Sequence, residues 1–253
     1  MNVVVCIKPV NSKYVNERTG ENNKWVINPY DLHVLSGLIQ LKSKMNHLHI
    51  TCLSMGSIHS KEVLTRCLAL GADEAVLLCD EHFAGSDTYA TAYILAAAIK
   101  KMDYDVVVCG KQTVDGETGQ VGYGVAYRLN LLCFQQVEEI LEIEEDTVIF
   151  SRINEQFLEK LEVRLPVMLS FQKLMIDCNV SLLMLKKARS IPVQIWTHKD
   201  INIEPENCGI SGSKTKVLNI HQTFEKKNPV IINGSTKEKT EQLLKIINGK
   251  GKS

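Results

Sequence analysis

The sequence predicts an α/β fold with a mainly parallel sheet. Short apolar runs typical of buried strands alternate with helical patterns as far as residue 130. A parallel strand is buried on both faces, so it is apolar throughout, as the run Val106-Val107-Val108 is. The predicted strands of this region are 3–7, 49–55, 75–79 and 105–109.

Capping residues and apolar spacing predict the first two helices. Asn28 is a preferred N-cap residue, Pro29 fits the first helical turn, and Asp31 complements the positive end of the helix dipole. Residues 11–27, before this helix, are predicted to form a long loop. The second helix follows Ser60 and ends at Gly71, a typical helix C-terminal glycine.

The third and fourth helices follow the same logic. Ser86 or Asp87 caps an alanine-rich helix, whose small side chains indicate close packing on the sheet or on another helix. In the fourth helix Val121, Val125 and Leu129 repeat at helical spacing.

The loop between the fourth strand and the fourth helix, residues 110–120, is polar and contains Gly116 and Gly119. Ligands bind to open α/β sheets at loops that leave the carboxyl ends of strands, and a helix N-terminus suits phosphate. The residues alone leave two interpretations open, a phosphate site or an ordinary polar connection, because neither a Walker loop nor a GxGxxG motif is present. The loops 6–9 and 54–56 are expected at the same edge of the sheet and could contact the same ligand.

After residue 135 the pattern changes to strands linked by acidic turns, predicted at 137–143, 147–153 and 158–169 as an extension of the same sheet. The apolar residues 182–185 precede the basic run 186–189, which indicates either an ordinary amphipathic helix or an exposed patch that docks a partner. Ser235 and Glu238 match a capping box that starts a last helix, expected to be an arm packed on another subunit.

Composition excludes several classes of function. The 253 residues carry 29 basic and 29 acidic side chains, which argues against nucleic acid as the main partner. No apolar run approaches 18 residues and no targeting signal opens the sequence, so a cytoplasmic chain without a membrane span is expected. The eight cysteines form no CxxC motif and are expected to be reduced and mostly buried.

Catalytic and metal-binding patterns are also missing from the sequence. It shows no paired catalytic carboxylates, no nucleophile elbow and no metal-ligand spacing, and its seven histidines lie apart from one another. We therefore predict a binding protein or carrier with no catalytic residue and no metal site.

Four segments resemble the β subunit of electron-transfer flavoproteins in order and spacing. They are VVVCIKPV, NPYD, GADEAVLL with the following DTYATAYILAAAI, and above all CGKQTVDGETGQVG. The resemblance implies a three-layer α/β/α sandwich of adenine-nucleotide-binding type with a C-terminal arm. It divides the chain into an α/β nucleotide-binding domain, 1–185, and an arm, 186–253, that packs on the α subunit.

The family implies an electron carrier in a heterodimer with an electron-transfer flavoprotein α subunit, which holds one FAD. The β subunit holds a second nucleotide, either a structural AMP or, in bifurcating members, a second FAD. That FAD accepts hydride from NADH and sends electrons to a low-potential acceptor, ferredoxin or flavodoxin, and through the α-subunit FAD to an acyl-CoA dehydrogenase-type flavoenzyme. The DG-x-T-x-QVG pattern at 115–122 resembles the bifurcating type and favours FAD, with AMP as the alternative. A nucleotide-binding signalling or stress module is the third hypothesis.

Position-by-position resemblance supplies the expected site residues. Arg152 matches an arginine near the flavin between the subunits, and Leu182 matches the leucine that docks on the dehydrogenase. The expected nucleotide-binding residues are Cys6, Lys8, Asn28, Ser54, Gly56, Asp87, Thr88, Gly110, Gln112, Asp115, Gly116, Thr118, Gln120, Val121 and Gly122.

Overall fold

The computed structural model describes residues 1–15, 24–45, 47–175, 178–219 and 231–249. The chain divides into a compact unit, Met1–Lys216, and a second unit, Val217–Ser253. Within the described residues the strands are, in chain order, β1 (Asn2–Cys6), β2 (Pro9–Asn11), β3 (Trp25–Ile27), β4 (His49–Met55), β5 (Glu74–Leu78), β6 (Val106–Gly110), β7 (Leu132–Ile143), β8 (Thr147–Asn154), β9 (Phe157–Arg164), β10 (Val167–Phe171) and β11 (Gln194–Trp196). The α-helices are α1 (Pro29–Lys42), α2 (Lys61–Leu70), α3 (Thr88–Ile99), α4 (Val121–Leu129), α5 (Leu182–Ala188), α6 (Gly209–Gly212) and α7 (Thr236–Gly249).

The main sheet has nine strands in the order β11-β5-β4-β1-β6-β10-β7-β8-β9. Neighbours from β11 to β7 pair in parallel, whereas β7, β8 and β9 pair antiparallel. From β1 the chain first adds strands on one side, β4 and then β5, and returns with β6 on the other side of β1. The order therefore reverses between β1 and β6, which makes a crevice at their carboxyl ends.

Helices cover both faces of this sheet. Alternate residues of β1 point to opposite faces, so that Val3 and Val5 pack with α1 and α2 while Val4 packs with α3 and α4. All three valines are buried. The result is the expected three-layer α/β/α arrangement with a mainly parallel sheet.

The alanine-rich helix α3 packs closely on α4, as its composition predicted. A Cβ added to Gly124 of α4 would lie only 2.7 Å from the Cβ of Ala92 in α3. The two helix axes can approach this closely because both contact residues are small.

Two sequence predictions, of one strand and of one loop, were wrong. The strand expected over 158–169 is interrupted by the cis peptide Leu165–Pro166 and forms two strands, β9 antiparallel to β8 and β10 parallel to β6. Proline lacks the N–H that a central strand donates, which explains the break. The loop expected over 11–27 contains strand residues at both ends, because β2 and β3 form a separate antiparallel pair.

The second unit contains α7. Ser235 precedes this helix, and its backbone N–H donates to Glu238 Oε2 at 2.8 Å, which is one of the two contacts of the predicted capping box. The hydroxyl of Ser235 also donates to Glu238 Oε2, at 2.7 Å. The apolar side chains Leu243, Leu244 and Ile247 are about half exposed. The role of 186–253 as an arm on a partner stays a prediction. Among the described helices, none combines the length and the apolar character that crossing a membrane would require.

Candidate functional site

A cavity of about 410 Å³ lies at the crevice where the strand order reverses. The loops after β1 and β6, the end of β4 and the starts of α3 and α4 surround it. Two of the three loops expected to converge therefore do so, and the third, 54–56, contributes only Met55. The lining residues are Cys6, Ile7, Lys8, Asp31, Leu53, Met55, Ser86, Asp87, Thr88, Thr91, Leu95, Cys109, Gly110, Lys111, Gln112, Thr113, Gly116, Thr118, Gly119, Gln120, Val121 and Gly122. A concave site with an apolar floor and a few polar groups is typical of small-molecule sites.

Asn28 holds the loop after β6 in place. Its side-chain Nδ2 donates to the carbonyl of Gln112 at 2.9 Å, and the N–H of Val114 donates to its Oδ1 at 3.3 Å. Asn28 is fully buried and makes no side-chain capping hydrogen bond to α1, so the capping role predicted for it was wrong. The amide thus fixes a loop far along the chain.

The start of α4 lies at the cavity wall. Gln120 occupies the N-cap position but makes no side-chain hydrogen bond to the helix. The first N–H groups of an α-helix have no partner within the helix, and the helix dipole gives this end a partial positive charge. Because Gln120, Val121 and Gly122 all line the cavity, this helix end can bind an anionic group of a ligand.

The start of α3 is different because its cap is formed within the chain. Asp87 Oδ1 accepts from the N–H of Ala90 at 2.9 Å, and Oδ2 accepts from the N–H groups of Lys214 and Thr215 at 2.8 and 2.9 Å. Burial opposes ionisation of Asp87, but these hydrogen bonds hold its pKa below the usual range. Thr88 and Thr91 lie beside it on the cavity wall and offer hydroxyl groups.

Two lysines supply positive charge at the cavity. Lys8 Nζ lies 2.7 Å from Asp115 Oδ1, and its side chain is 45% exposed, so the ammonium group remains accessible. Burial opposes ionisation of Asp115, yet the hydrogen bond from Lys8 lowers the pKa of the carboxyl group. Lys111 lies on the wall beside the same loop. These charges favour a phosphate-bearing ligand over a cationic one.

The buried Asp31 ties two of the cavity loops together. Its Oδ2 accepts from the N–H of Lys8 at 2.8 Å, and its Oδ1 accepts from the N–H of Gly110 at 3.0 Å. Burial raises the pKa of Asp31 to about 7, against the opposing effect of hydrogen bonds from Lys8, Asn28 and Gly110. The position of Asp31 in the first turn of α1 predicted only a helix-dipole role, because the loops that Asp31 joins are distant in sequence.

The cavity contains no activated thiol. Burial raises the pKa of Cys6 to about 12 and, with nearby Cys6 and Asp31, raises the pKa of Cys109 well above its ordinary value. Both thiols are therefore protonated and non-nucleophilic near neutral pH. Cys52, Cys67 and Cys208 are also buried thiols, as the sequence predicts, whereas Cys79, Cys133 and Cys178 are only partly buried.

Most of the expected nucleotide-binding residues line the cavity: Cys6, Lys8, Asp87, Thr88, Gly110, Gln112, Gly116, Thr118, Gln120, Val121 and Gly122. Asn28 and Asp115 do not line the cavity. Asn28 holds the loop after β6, and Asp115 pairs with Lys8, and both the loop and Lys8 do line it.

The structure does not bring Ser54 or Gly56 to the cavity wall. Side chains alternate along a strand, so Leu53 and Met55 face the cavity while Ser54 is buried on the other side, and its Oγ has no hydrogen-bond partner among the described residues. Gly56 directly follows β4, and its N–H donates to the carbonyl of Leu78 at the end of β5 at 3.1 Å.

Arg152 and Leu182 lie outside the cavity. Arg152, on β8, has its Nε 2.7 Å from Glu159 Oε2 and its guanidinium 5.6 Å from the ring centroid of Phe134. Leu182 is the first residue of α5 and is 86% exposed. The roles expected for both stay predictions.

Several lining residues were absent from the predicted set. Lys111, Thr113 and Gly119 belong to the loop 110–120, which the sequence predicts as a ligand site. Their position in this loop could therefore have identified them. Thr91 lies one helical turn after Asp87, and this spacing places it on the same helix face. Met55 alternates with Ser54, so predicting the wrong face of β4 accounts for its omission.

Comparison with known proteins gives consistent results. A family model described as the electron transfer flavoprotein domain matches residues 19–201. The chain is 36% identical over 245 residues to the caffeyl-CoA reductase-Etf complex subunit CarD of Acetobacterium woodii, with 93% of each chain covered. It is 37% identical to the electron transfer flavoprotein subunit beta of Clostridium acetobutylicum, with 86% of each chain covered. It is 35% identical to the protein FixA of Azorhizobium caulinodans, covering 87% of this chain and 84% of that protein.

Proposed function

Because this chain belongs to the electron transfer flavoprotein family, as a β subunit, we propose that its cavity binds a second FAD and that the protein takes part in electron bifurcation. Membership of the family implies an α-subunit partner and a role in electron transport. The identity of the nucleotide and its reaction with NADH go further and are our proposal.

The uncapped start of α4 is the observation that carries the proposal. The first N–H groups of α4, with Lys8 and Lys111 nearby, match a pyrophosphate, whose two phosphate groups offer more acceptor oxygens over a longer span than a single phosphate. Gly119, at φ 63°, lets the chain turn there, and the small residues Gly116 and Gly119 leave space for the ligand. These features suit FAD, and AMP would use fewer of them.

The rest of the cavity suits the uncharged part of a nucleotide. Leu53, Met55 and Leu95 provide apolar contacts for an aromatic ring system. Thr88 and Thr91 provide hydroxyl groups that can bind sugar or phosphate oxygens. FAD, when bound, supplies hydride acceptance from NADH and passes electrons on singly. The chain's own residues bind and orient the nucleotide.

The proposed electron route continues through the α-subunit FAD to an acyl-CoA dehydrogenase-type flavoenzyme, with ferredoxin or flavodoxin as the low-potential acceptor. Two observations support a docked redox partner. The side chains of Leu182 and Leu183 are 86% and 62% exposed, and the basic residues at the end of α5 lie next to them. Together they form an apolar surface bordered by positive charge, which can contact a partner protein. One relative is, by its name, a subunit of a caffeyl-CoA reductase-Etf complex, which joins such a flavoprotein to a reductase.

The nucleotide content of the heterodimer tests this proposal. The chain is co-expressed with its α subunit, the complex is extracted with acid, and the nucleotides are separated by chromatography and counted per heterodimer. Two FAD and no AMP would support bifurcation, and NADH oxidation would then be measured with both acceptors present. One FAD and one AMP would refute the FAD assignment but retain the cavity as a nucleotide site. One FAD and no second nucleotide would refute the site itself.

A further inference from the structure

We propose that Asp80, His82 and His198 form a binding site for a borderline transition-metal ion, Zn²⁺ or one of similar chemistry, apart from the nucleotide cavity. None of the three residues lines that cavity. Their potential ligand atoms all lie within 4.8 Å of one another.

The topology of the sheet brings these residues together. β5 and β11 pair in parallel, with Leu78 beside Trp196, so both strands end at the same edge. Asp80 follows β5 by two residues, His82 lies in the next turn, and His198 follows β11 by two residues. The cluster is not evident from the sequence because His198 and Asp80 are 118 residues apart in the chain.

The side chains converge on one carboxylate. His82 Nδ1 lies 2.8 Å from Asp80 Oδ1, and His198 Nδ1 lies 2.6 Å from Asp80 Oδ2. The backbone N–H groups of the same two histidines donate to the same oxygens at 2.9 Å each. These backbone bonds hold the carboxylate at a fixed orientation, so its position does not depend on the imidazole contacts alone.

An ion can enter this cluster if the two imidazole side chains move. Metal–nitrogen and metal–oxygen distances of about 2.0–2.2 Å place neighbouring ligands of a tetrahedral ion about 3.4 Å apart. The imidazoles must therefore move away from the carboxylate by about 0.6 to 0.8 Å, and ligand atoms that lie as much as 4.8 Å apart must approach one another by up to about 1.4 Å. The His82 side chain is 39% exposed and can make this movement, while His198, at 15%, provides the more rigid side. The exposed side also leaves a coordination position open to water.

The charge of the site favours a divalent cation. Asp80 contributes a carboxylate, whose two oxygens accept the backbone N–H groups of His82 and His198. Two imidazole nitrogens and one carboxylate suit Zn²⁺, Co²⁺ or Ni²⁺, whereas Mg²⁺ and Ca²⁺ prefer sites made only of oxygen atoms. When an ion binds Nδ1, the imidazole proton moves to Nε2, and no redox step is required.

Zinc titration calorimetry on the chelator-treated heterodimer tests the site. We expect His82→Gln and His198→Gln each to weaken one zinc-binding event at least tenfold, since each removes a ligand. His59→Gln is the matched control, because His59 is exposed and lies outside the cluster. Mg²⁺ serves as the ion-type control and should not compete. Far-UV circular dichroism checks that each variant is folded, and the more exposed His82 provides the test if His198→Gln unfolds.

Three results would overturn the proposal. The first is no saturable zinc binding by the unaltered protein. The second is affinity kept within threefold in a folded His82→Gln or His198→Gln variant, which would leave the three side chains as a hydrogen-bonded clamp only. The third is an equal loss in His59→Gln. Nucleotide content should be unchanged in all three variants, so the outcome is independent of the proposed FAD site.

Discussion

Replacing Gly122 with alanine should separate nucleotide binding from the packing of α4. A Cβ at this position would lie 2.9 Å from Cys109 Sγ and 3.3 Å from Met168 Cε, and both neighbours are buried in the sheet. Ordinary contacts are about 3.5–4.0 Å, so the start of α4 must move away by roughly 0.5–1 Å. Such overpacking costs about 1–3 kcal/mol, partly offset by up to about 1 kcal/mol from the better helix propensity of alanine.

The same movement should weaken nucleotide binding. A shift of this size breaks or bends hydrogen bonds from the first N–H groups of α4, and one bond to a charged group contributes about 1.5–3 kcal/mol. The dissociation constant of the β-subunit nucleotide should therefore rise roughly 10–100-fold. Equilibrium dialysis of the heterodimer against FAD measures this constant, and urea denaturation measures the free energy of unfolding.

Gly37→Ala is the matched control for this substitution. Gly37 lies inside α1, and an added Cβ would meet nothing within 4 Å. We expect a stabilisation of about 0.5–1 kcal/mol and no change in nucleotide affinity. If Gly122→Ala binds FAD as tightly as the unaltered protein, the start of α4 does not contact the phosphates and our assignment is refuted.

Three further substitutions test the site and its partner. Asp31 has a folded-state pKa of about 7 against an ordinary value of 3.8, so its neutral form stabilises the fold fully below about pH 4 and this stability is lost as the pH rises through 7. The free energy of unfolding should therefore fall between about pH 5 and 8, and Asp31→Asn should make this fall smaller by about 2–3 kcal/mol. Urea denaturation at each pH measures it, and an unchanged pH dependence in the variant would contradict this reasoning. Gly116→Val should lower the nucleotide content of the purified complex more than its melting temperature, and a full nucleotide complement would count against the loop assignment. Leu182→Ser should slow electron transfer to the partner flavoenzyme severalfold with nucleotide content unchanged, and an equal rate in stopped-flow measurements would exclude docking through α5.

Local sequence patterns were sufficient for the elements whose residues interact nearby. The apolar run 49–55 predicted β4 with its exact bounds, and the alanine content of α3 predicted its close packing. The break at Pro166 could also have been predicted from the local sequence, because a proline cannot occupy the middle of a central strand. The alternation of apolar residues on either side of Pro166 favoured a single continuous strand instead.

Other features depend on contacts that local patterns do not contain. Asn28 carries the signature of a helix cap, yet its amide bonds a loop 84 residues away. Asp31 looks like a first-turn acid, but its burial and its two backbone donors arise only once β1 and β6 lie side by side. Convergence of loops at one sheet edge was predictable from parallel topology, whereas the choice of side chains that face the cavity was not.

The position of β10 has a consequence for how the chain folds during synthesis. β10 is the tenth strand in sequence, yet it lies inside the sheet and pairs Val167 with Val106 of β6 and with Leu132 of β7. Until residue 171 has left the ribosome, β6 has an unpaired edge, and such edges are prone to pairing with other chains. The loop that begins at Gly110 is therefore not supported on that side until late in translation. Stable nucleotide loading should therefore follow release of this region.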